Sequence, residues 1–186
     1  MIFSIGGCSA IRVSQDFDVT TDFTRYQTFA WAPGPPPRSN DILMDSQLMD
    51  RRVRRAVEEN LSTKGLSQTP GEQADFYVTY HIVVRPRFEA ESFSTGFGGY
   101  GYRNPYWGYP YPFWGGIDYS TYIRQYDEGT LIIDFTDARS NQLFWRGIGS
   151  RRITQHSNPE KTTAAVNQTV AEILAQYPPA AELKKQ

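Results

Sequence analysis

The chain has one cysteine, two histidines and three methionines in 186 residues. A single thiol excludes an intramolecular disulfide and a Cys-rich zinc site. An excess of either charge is also missing: 19 Lys and Arg stand against 20 Asp and Glu, a formal net charge of −1. That balance removes the overall electrostatic case for nucleic acid or an acidic membrane surface. No apolar run approaches the roughly 20 residues of a membrane-spanning helix. Familiar catalytic patterns are absent as well: there is no Gly-x-Ser-x-Gly elbow, no phosphate-binding loop and no His-x-x-x-His pair. His81 and His156 stand alone. Asp134 and Asp137 flank a bend, where paired carboxylates are usually solvated. The expectation is a protein that is not an enzyme and holds no cofactor or metal.

The one cysteine, Cys8, lies behind a short apolar run. Ile5-Gly6-Gly7-Cys8 resembles a bacterial lipobox: an aliphatic residue, two small residues, then cysteine. The small residues let an extended backbone enter a peptidase cleft, and the thiol takes a diacylglyceryl group. Two or more acyl chains, at about 0.8 kcal/mol per buried CH2, anchor a protein stably where one does not. No Lys or Arg precedes the apolar stretch, which is shorter than a signal peptide, so residues 1–10 read as a lipobox remnant and tether. The competing reading is an ordinary free cysteine near a frayed terminus; position and uniqueness favour lipidation. Ser9 fits sorting to the outer membrane, so the expected location is its periplasmic side in a Gram-negative bacterium.

Residues 11–179 read as one α+β domain, with 180–186 as a tail. Ile11, Val13, Phe17 and Val19 alternate with polar residues and predict a half-buried strand. "YQTFAWA", Tyr26 to Ala32, predicts a second. "PGPPPRSND" is a loop. Residues 44–64 predict a helix: Met49, Val53, Val57 and Leu61 recur every four positions, with Leu48 and Ala56 beside them. Asp45 or Ser46 caps its start and Gly65 its end. Arg51, Arg52, Arg54 and Arg55 read as a solvated face, with Asp50 and Glu59 in i,i+4 reach of arginines; a patch for anionic lipid or phosphate is the alternative. Phe76 to Val84 alternates with apolar residues on both faces, which predicts a central strand stopped by Pro86. A further strand is expected at Tyr119 to Tyr126. "EGTLIIDFTDARSNQLFWRG" predicts a hairpin, Glu128 to Gly147; a five-residue loop would set Phe135 opposite Leu143 and Ile133 opposite Trp145. The last helix starts at Ser157-Asn158-Pro159-Glu160 and carries a stripe of Val166, Thr169, Val170, Ile173, Leu174 and Tyr177 before Pro178-Pro179. So few helices must cover one face of a mostly antiparallel sheet.

These stretches, in this order, are similar to a bacterial putative lipoprotein family, domain of unknown function 4136. The matching segments are "DFTRYQTFAWAPG", Leu61 to Leu66, "ADFYVTYHI", "YDEGTLIIDFTDARSNQLFWRG" and "AVNQTVAEILAQYPP", which together span about Asp16 to Pro179. The resemblance implies a lipid-anchored envelope protein with an α+β domain and no known activity, so it supplies no catalytic residue.

One segment stands apart. Residues 92–118 form an inserted aromatic, Gly- and Pro-rich loop nearly free of aliphatic side chains. As a binding platform its stacking faces are Tyr100, Tyr102, Tyr106, Trp107, Tyr109, Tyr111, Phe113 and Trp114, suited to a glycan or an envelope protein. As a lid over the sheet, or as a low-complexity tract, it binds nothing. With Arg103 as its one basic residue it does not fit nucleic acid. The alternative to a binding or structural module is an envelope hydrolase with these aromatics as subsites and Glu89, Glu91, Asp118 and Asp127 as the nearest carboxylates.

Overall fold

The structure, a computed structural model, describes residues 11–34, 39–41, 44–94, 119–153 and 158–179, with side chains described for all of these except 90–94 and 119–123. The architecture is α+β. Six strands, β1 (Arg12–Phe17), β2 (Thr28–Trp31), β3 (Ser67–Gln68), β4 (Phe76–Ser94), β5 (Tyr119–Asp137) and β6 (Leu143–Arg152), form one sheet in the order β1-β6-β5-β4-β2-β3. Pairing of β6 with β1 and β5 is antiparallel, whereas β2 runs parallel to both β3 and β4. Two helices, α1 (Gln47–Thr63) and α2 (Pro159–Leu174), pack against the sheet and each other. The chain divides into two compact units, Met1–Arg85 with Asp127–Gln186, and Pro86–Tyr126. The second unit contributes strand at 86–94 and 119–126.

The helices form where capping and periodicity predict. Ser46 caps α1, its hydroxyl accepting from the Met49 N–H at 3.2 Å, and Gly65 follows the helix with φ +82°. A left-handed residue there costs glycine nothing and any other residue something. Met49, Val53, Ala56, Val57 and Leu61 are buried, but Leu48 is 56% exposed and off the packing stripe. Asn158 caps α2 by accepting from the Glu160 N–H at 2.7 Å, with Pro159 in the first helical turn. Thr169, Val170, Ile173 and Leu174 are buried, and Tyr177 follows them into the core.

Four strand expectations need correction. β1 is an edge strand whose apolar residues are only partly covered: Val13 is 38% exposed and Val19, beyond the strand, 84%. β2 starts at Thr28: the Gln27 and Thr28 N–H groups donate to Asp75 Oδ2 at 3.0 and 2.9 Å, not to a neighbouring strand, and the Tyr26 ring stacks on Phe144 at 4.1 Å between centroids. β4 does not stop at Pro86. Its pairs with β2 end at Trp31↔Val78, and farther on the Asn40 side chain binds both the N–H and the C=O of Val84. Pro86 therefore lies past the β2 pairs, where a missing N–H costs little. Residues 92–94, expected in the aromatic loop, are strand as well.

The hairpin register also differs. Thr136 pairs with Leu143 and Phe135 with Trp145, so Phe144 is an extra residue, and Ile133 lies opposite Gly147. This bulge turns two consecutive residues inward: Phe144 and Trp145 are both buried, while Leu143 is 46% exposed. Asn141, at φ 56°, closes the turn. The aromatic centre of the core is built here, with Phe135 4.6 Å from Trp145 and 4.9 Å from both Phe76 and Tyr177.

Candidate functional site

A pocket lies between the sheet and the two helices. Gly129 and Leu131 of β5 and Gly149 of β6 form a floor, with Leu131 paired to Gly149. Met49 and Val53 of α1 make one wall; Ala165, Val166 and Thr169 of α2 make the other. The result is a pocket of about 410 Å³, within the size range of small-molecule sites. All its lining residues belong to the larger compact unit.

The lining is mostly apolar and also carries five charged residues: Asp41, Arg52, Asp127, Arg151 and Arg152. Arg52 Nε donates to the Thr163 hydroxyl at 3.1 Å, and Arg151 Nη1 donates to the Ala165 carbonyl at 3.1 Å. Both guanidinium groups are thus steered by neutral acceptors on α2. Their neighbours in sequence behave otherwise. Arg54 pairs with Asp50 at 2.9 Å and lies over the Trp31 ring at 4.4 Å, and Arg55 pairs with Glu59 at 2.7 Å. The solvated-face reading of the arginine run therefore fits Arg55 and fails for Arg52.

The carboxylates flanking the bend are not solvated, contrary to expectation. Asp134 is 6% exposed and takes a two-pronged bond from Arg146, Nε and Nη2 each at 2.7 Å. The Asp134↔Arg146 pair continues across the sheet to Asp16 of β1. Asp137 is a structural staple: it accepts from the backbone N–H groups of Arg139 and Ser140, from the Tyr26 hydroxyl at 2.9 Å and from Arg25. Burial pushes its pKa up, but the Ser140 N–H, the Tyr26 hydroxyl, the Arg139 N–H and Arg25 outweigh it and hold the carboxyl far below its usual range. Burial, with the bond to Asp137, pushes the Tyr26 hydroxyl up to about 12.

A depressed carboxylate stabilises the fold above its unfolded pKa of about 3.9 and loses that contribution as pH falls toward its folded value. Asp137→Asn is therefore expected to be less stable than the parent at pH 7, with the gap narrowing steadily below pH ~4. Urea midpoints at pH 7, 4 and 3 check this; a gap that does not change with pH would show that Asp137 is not the linked group.

Of the residues singled out in the sequence, Cys8 lies outside the described residues. So do Tyr100, Tyr102, Tyr106, Trp107, Tyr109, Tyr111, Phe113 and Trp114, together with Asp118 and His156. His81 is exposed on β4. Glu89 is exposed, and Asp127 is an exposed residue of the pocket lining. Among the described residues no three His, Cys, Asp or Glu side chains are grouped to hold a metal ion, and no helix is long and apolar enough to cross a membrane. Sequence reasoning missed the pocket. Its lining includes Gly129 and Gly149 inside strands, where glycine often marks a close approach; here the side chains of Ile153 and Ile173 come that close.

Comparison with solved structures finds a DUF4136 family protein from Bacteroides thetaiotaomicron, 17% identical, matched over 90% of this chain and 96% of that one with a TM-score of 0.52. This likeness shows a shared fold. A PelC dodecamer from Paraburkholderia phytofirmans is 10% identical over 89% of this chain and 96% of its own, with a TM-score of 0.48. A PDZ domain protein from Parabacteroides distasonis is 12% identical with a TM-score of 0.48; the match covers 95% of this chain but only 37% of that longer protein. No curated protein matches. The family model described as Domain of unknown function (DUF4136) matches residues 13–179, and the chain belongs to that family.

Proposed function

We propose that this chain is a lipid-anchored protein of the Gram-negative cell envelope, held on the periplasmic side of the outer membrane through Cys8, and that its domain is a non-enzymatic binding module. The observation that carries the binding reading is the pocket between the two helices and the sheet. It has the volume and apolar lining of a ligand site. Among the described residues, the buried carboxylates at the other end of the hairpin are committed to Arg25 and Arg146, so their chemistry is structural. The anchor is supported by Ile5-Gly6-Gly7-Cys8, and the aromatic segment from Tyr100 to Trp114 supports a second contact with an envelope protein or glycan.

Expression behind a complete signal peptide in a Gram-negative host tests the reading. Mass spectrometry of the membrane-extracted protein is expected to find Cys8 as a modified N-terminal residue, and Cys8→Ser is expected to move the protein from the outer-membrane to the soluble periplasmic fraction. Recovery of the parent protein from the soluble fraction with an unmodified thiol would sink the proposal.

A further inference from the structure

We infer that the pocket takes a single-chain amphiphile with a monoanionic carboxylate head, its alkyl chain on Leu131, Met49 and Val166 and its head at Arg52 and Arg151. The inference rests on the binding-module reading and names the ligand class of that site. Three features of the pocket support it.

The first is volume. A volume of about 410 Å³ lies toward the lower end of the range of small-molecule sites, a scale that suits one medium-length alkyl chain with its head. The second is lining. The floor and walls are mostly apolar side chains and glycines, with Thr162 and Thr169 among them, and moving an alkyl chain from water onto such a surface is favourable. The third is charge. The three arginines and two aspartates of the lining leave one formal positive charge. Arg52 and Arg151 are each tied through one nitrogen to a neutral acceptor on α2, which fixes the guanidinium plane. A planar guanidinium held in this way matches a carboxylate fork. A dianionic phosphate head would also have to face Asp41 and Asp127.

Calorimetric titration of the full chain tests this, with dodecanoate, dodecanol, dodecyl phosphate, dodecyltrimethylammonium and acetate as probes, each below its micellar concentration. Dodecanoate is expected to bind one to one. Dodecanol should bind at least about ten-fold more weakly, for want of charge-assisted hydrogen bonds, and acetate and the cation should show no binding. The double variant R52Q/R151Q is expected to reduce dodecanoate to the affinity of dodecanol. Ala165→Phe, which fills the α2 wall, should abolish binding of both. If Ala165→Phe loses its helical circular dichroism, the arginine variant decides.

Equal affinity for dodecanol and dodecanoate, tighter binding of the phosphate or the cation, binding of acetate alone, or no binding of any alkyl probe would each overturn the assignment. Unchanged dodecanoate binding by R52Q/R151Q, or by a folded Ala165→Phe, would do the same. None of these outcomes touches the fractionation of the Cys8→Ser variant, so failure of the ligand class and failure of the envelope reading are read separately.

Discussion

Replacing Trp145 with alanine is expected to lower the unfolding free energy by about 3–5 kcal/mol, the cost of emptying a fully buried indole site. Trp145 is fully buried and packs its ring against Phe135 at 4.6 Å and Tyr177 at 5.3 Å. Its Nε1 donates to Gln15 Oε1 at 3.0 Å, which ties β6 to the edge strand β1. Truncation removes that bond and leaves Gln15 unpaired. Much of the void cannot close, because the backbone of β6 is paired on both sides. Domains of this size are stable by about 5–15 kcal/mol, so the variant should sit near the edge of folding. Urea unfolding followed by far-ultraviolet circular dichroism, which does not depend on the lost indole, measures the change. A midpoint within error of the parent would mean that Trp145 does not hold the core.

The helices and most of the strands were legible because their signals are local. Residues Met49 to Leu61 and Val166 to Leu174 repeat at the helical period, and Ser46, Gly65 and Asn158 mark the ends by hydrogen-bonding or φ preferences that need no distant partner. What was misread depends on tertiary partners. No local pattern announces the bulge at Phe144, which is fixed by the ring stack of Phe144 on Tyr26, more than 100 residues away in the chain. A proline is expected to end a strand that is paired on both sides, but β4 runs on through Pro86. In this fold β2 is short enough that β4 has outrun it before the proline arrives.

The pocket was less legible than the fold for a similar reason. Its arginines come from two distant places in the chain, and Arg52 sits in a run that also holds the exposed Arg51 and Arg55. Only the approach of α2, whose Thr163 and Ala165 accept from Arg52 and Arg151, separates it from Arg55. Asp134 and Asp137 read as solvated turn carboxylates because a hairpin bend is normally exposed. Here Arg146, Arg25 and Tyr26 converge on them and the bend is drawn into the structure.

Gly147→Ala is expected to cost about 3 kcal/mol or more, at or above the upper end of what overpacking a core ordinarily does. β6 carries glycine at 147 and 149 on the face that α2 covers. A Cβ at Gly147 would come within 2.4 Å of Trp145 Cη2 and 2.5 Å of Ile173 Cγ2. Neither atom is the loose end of a flexible side chain. The indole is locked between Phe135, Tyr177 and Gln15, and Ile173 is fully buried on α2. Relief therefore requires α2 to move off the sheet, which would loosen the contacts of Val170 and Leu174 as well. Gly71→Ala is the matched control. Its added Cβ would meet only Tyr77 Cε1, at an ordinary 3.7 Å, and no left-handed φ is needed there. That variant should be neutral or up to about 1 kcal/mol more stable, through the smaller entropy of its unfolded chain. The two alanines thus add the same methyl group and are expected to act in opposite directions. Adding Ile173→Ala to Gly147→Ala should recover part of the loss, because it removes one of the two clashing atoms, so the double variant should lose less than the sum of the singles. Urea midpoints of the four proteins and the parent decide it. Equal midpoints for Gly147→Ala and Gly71→Ala, or strictly additive losses at 147 and 173, would show that α2 does not rest on the glycines of β6.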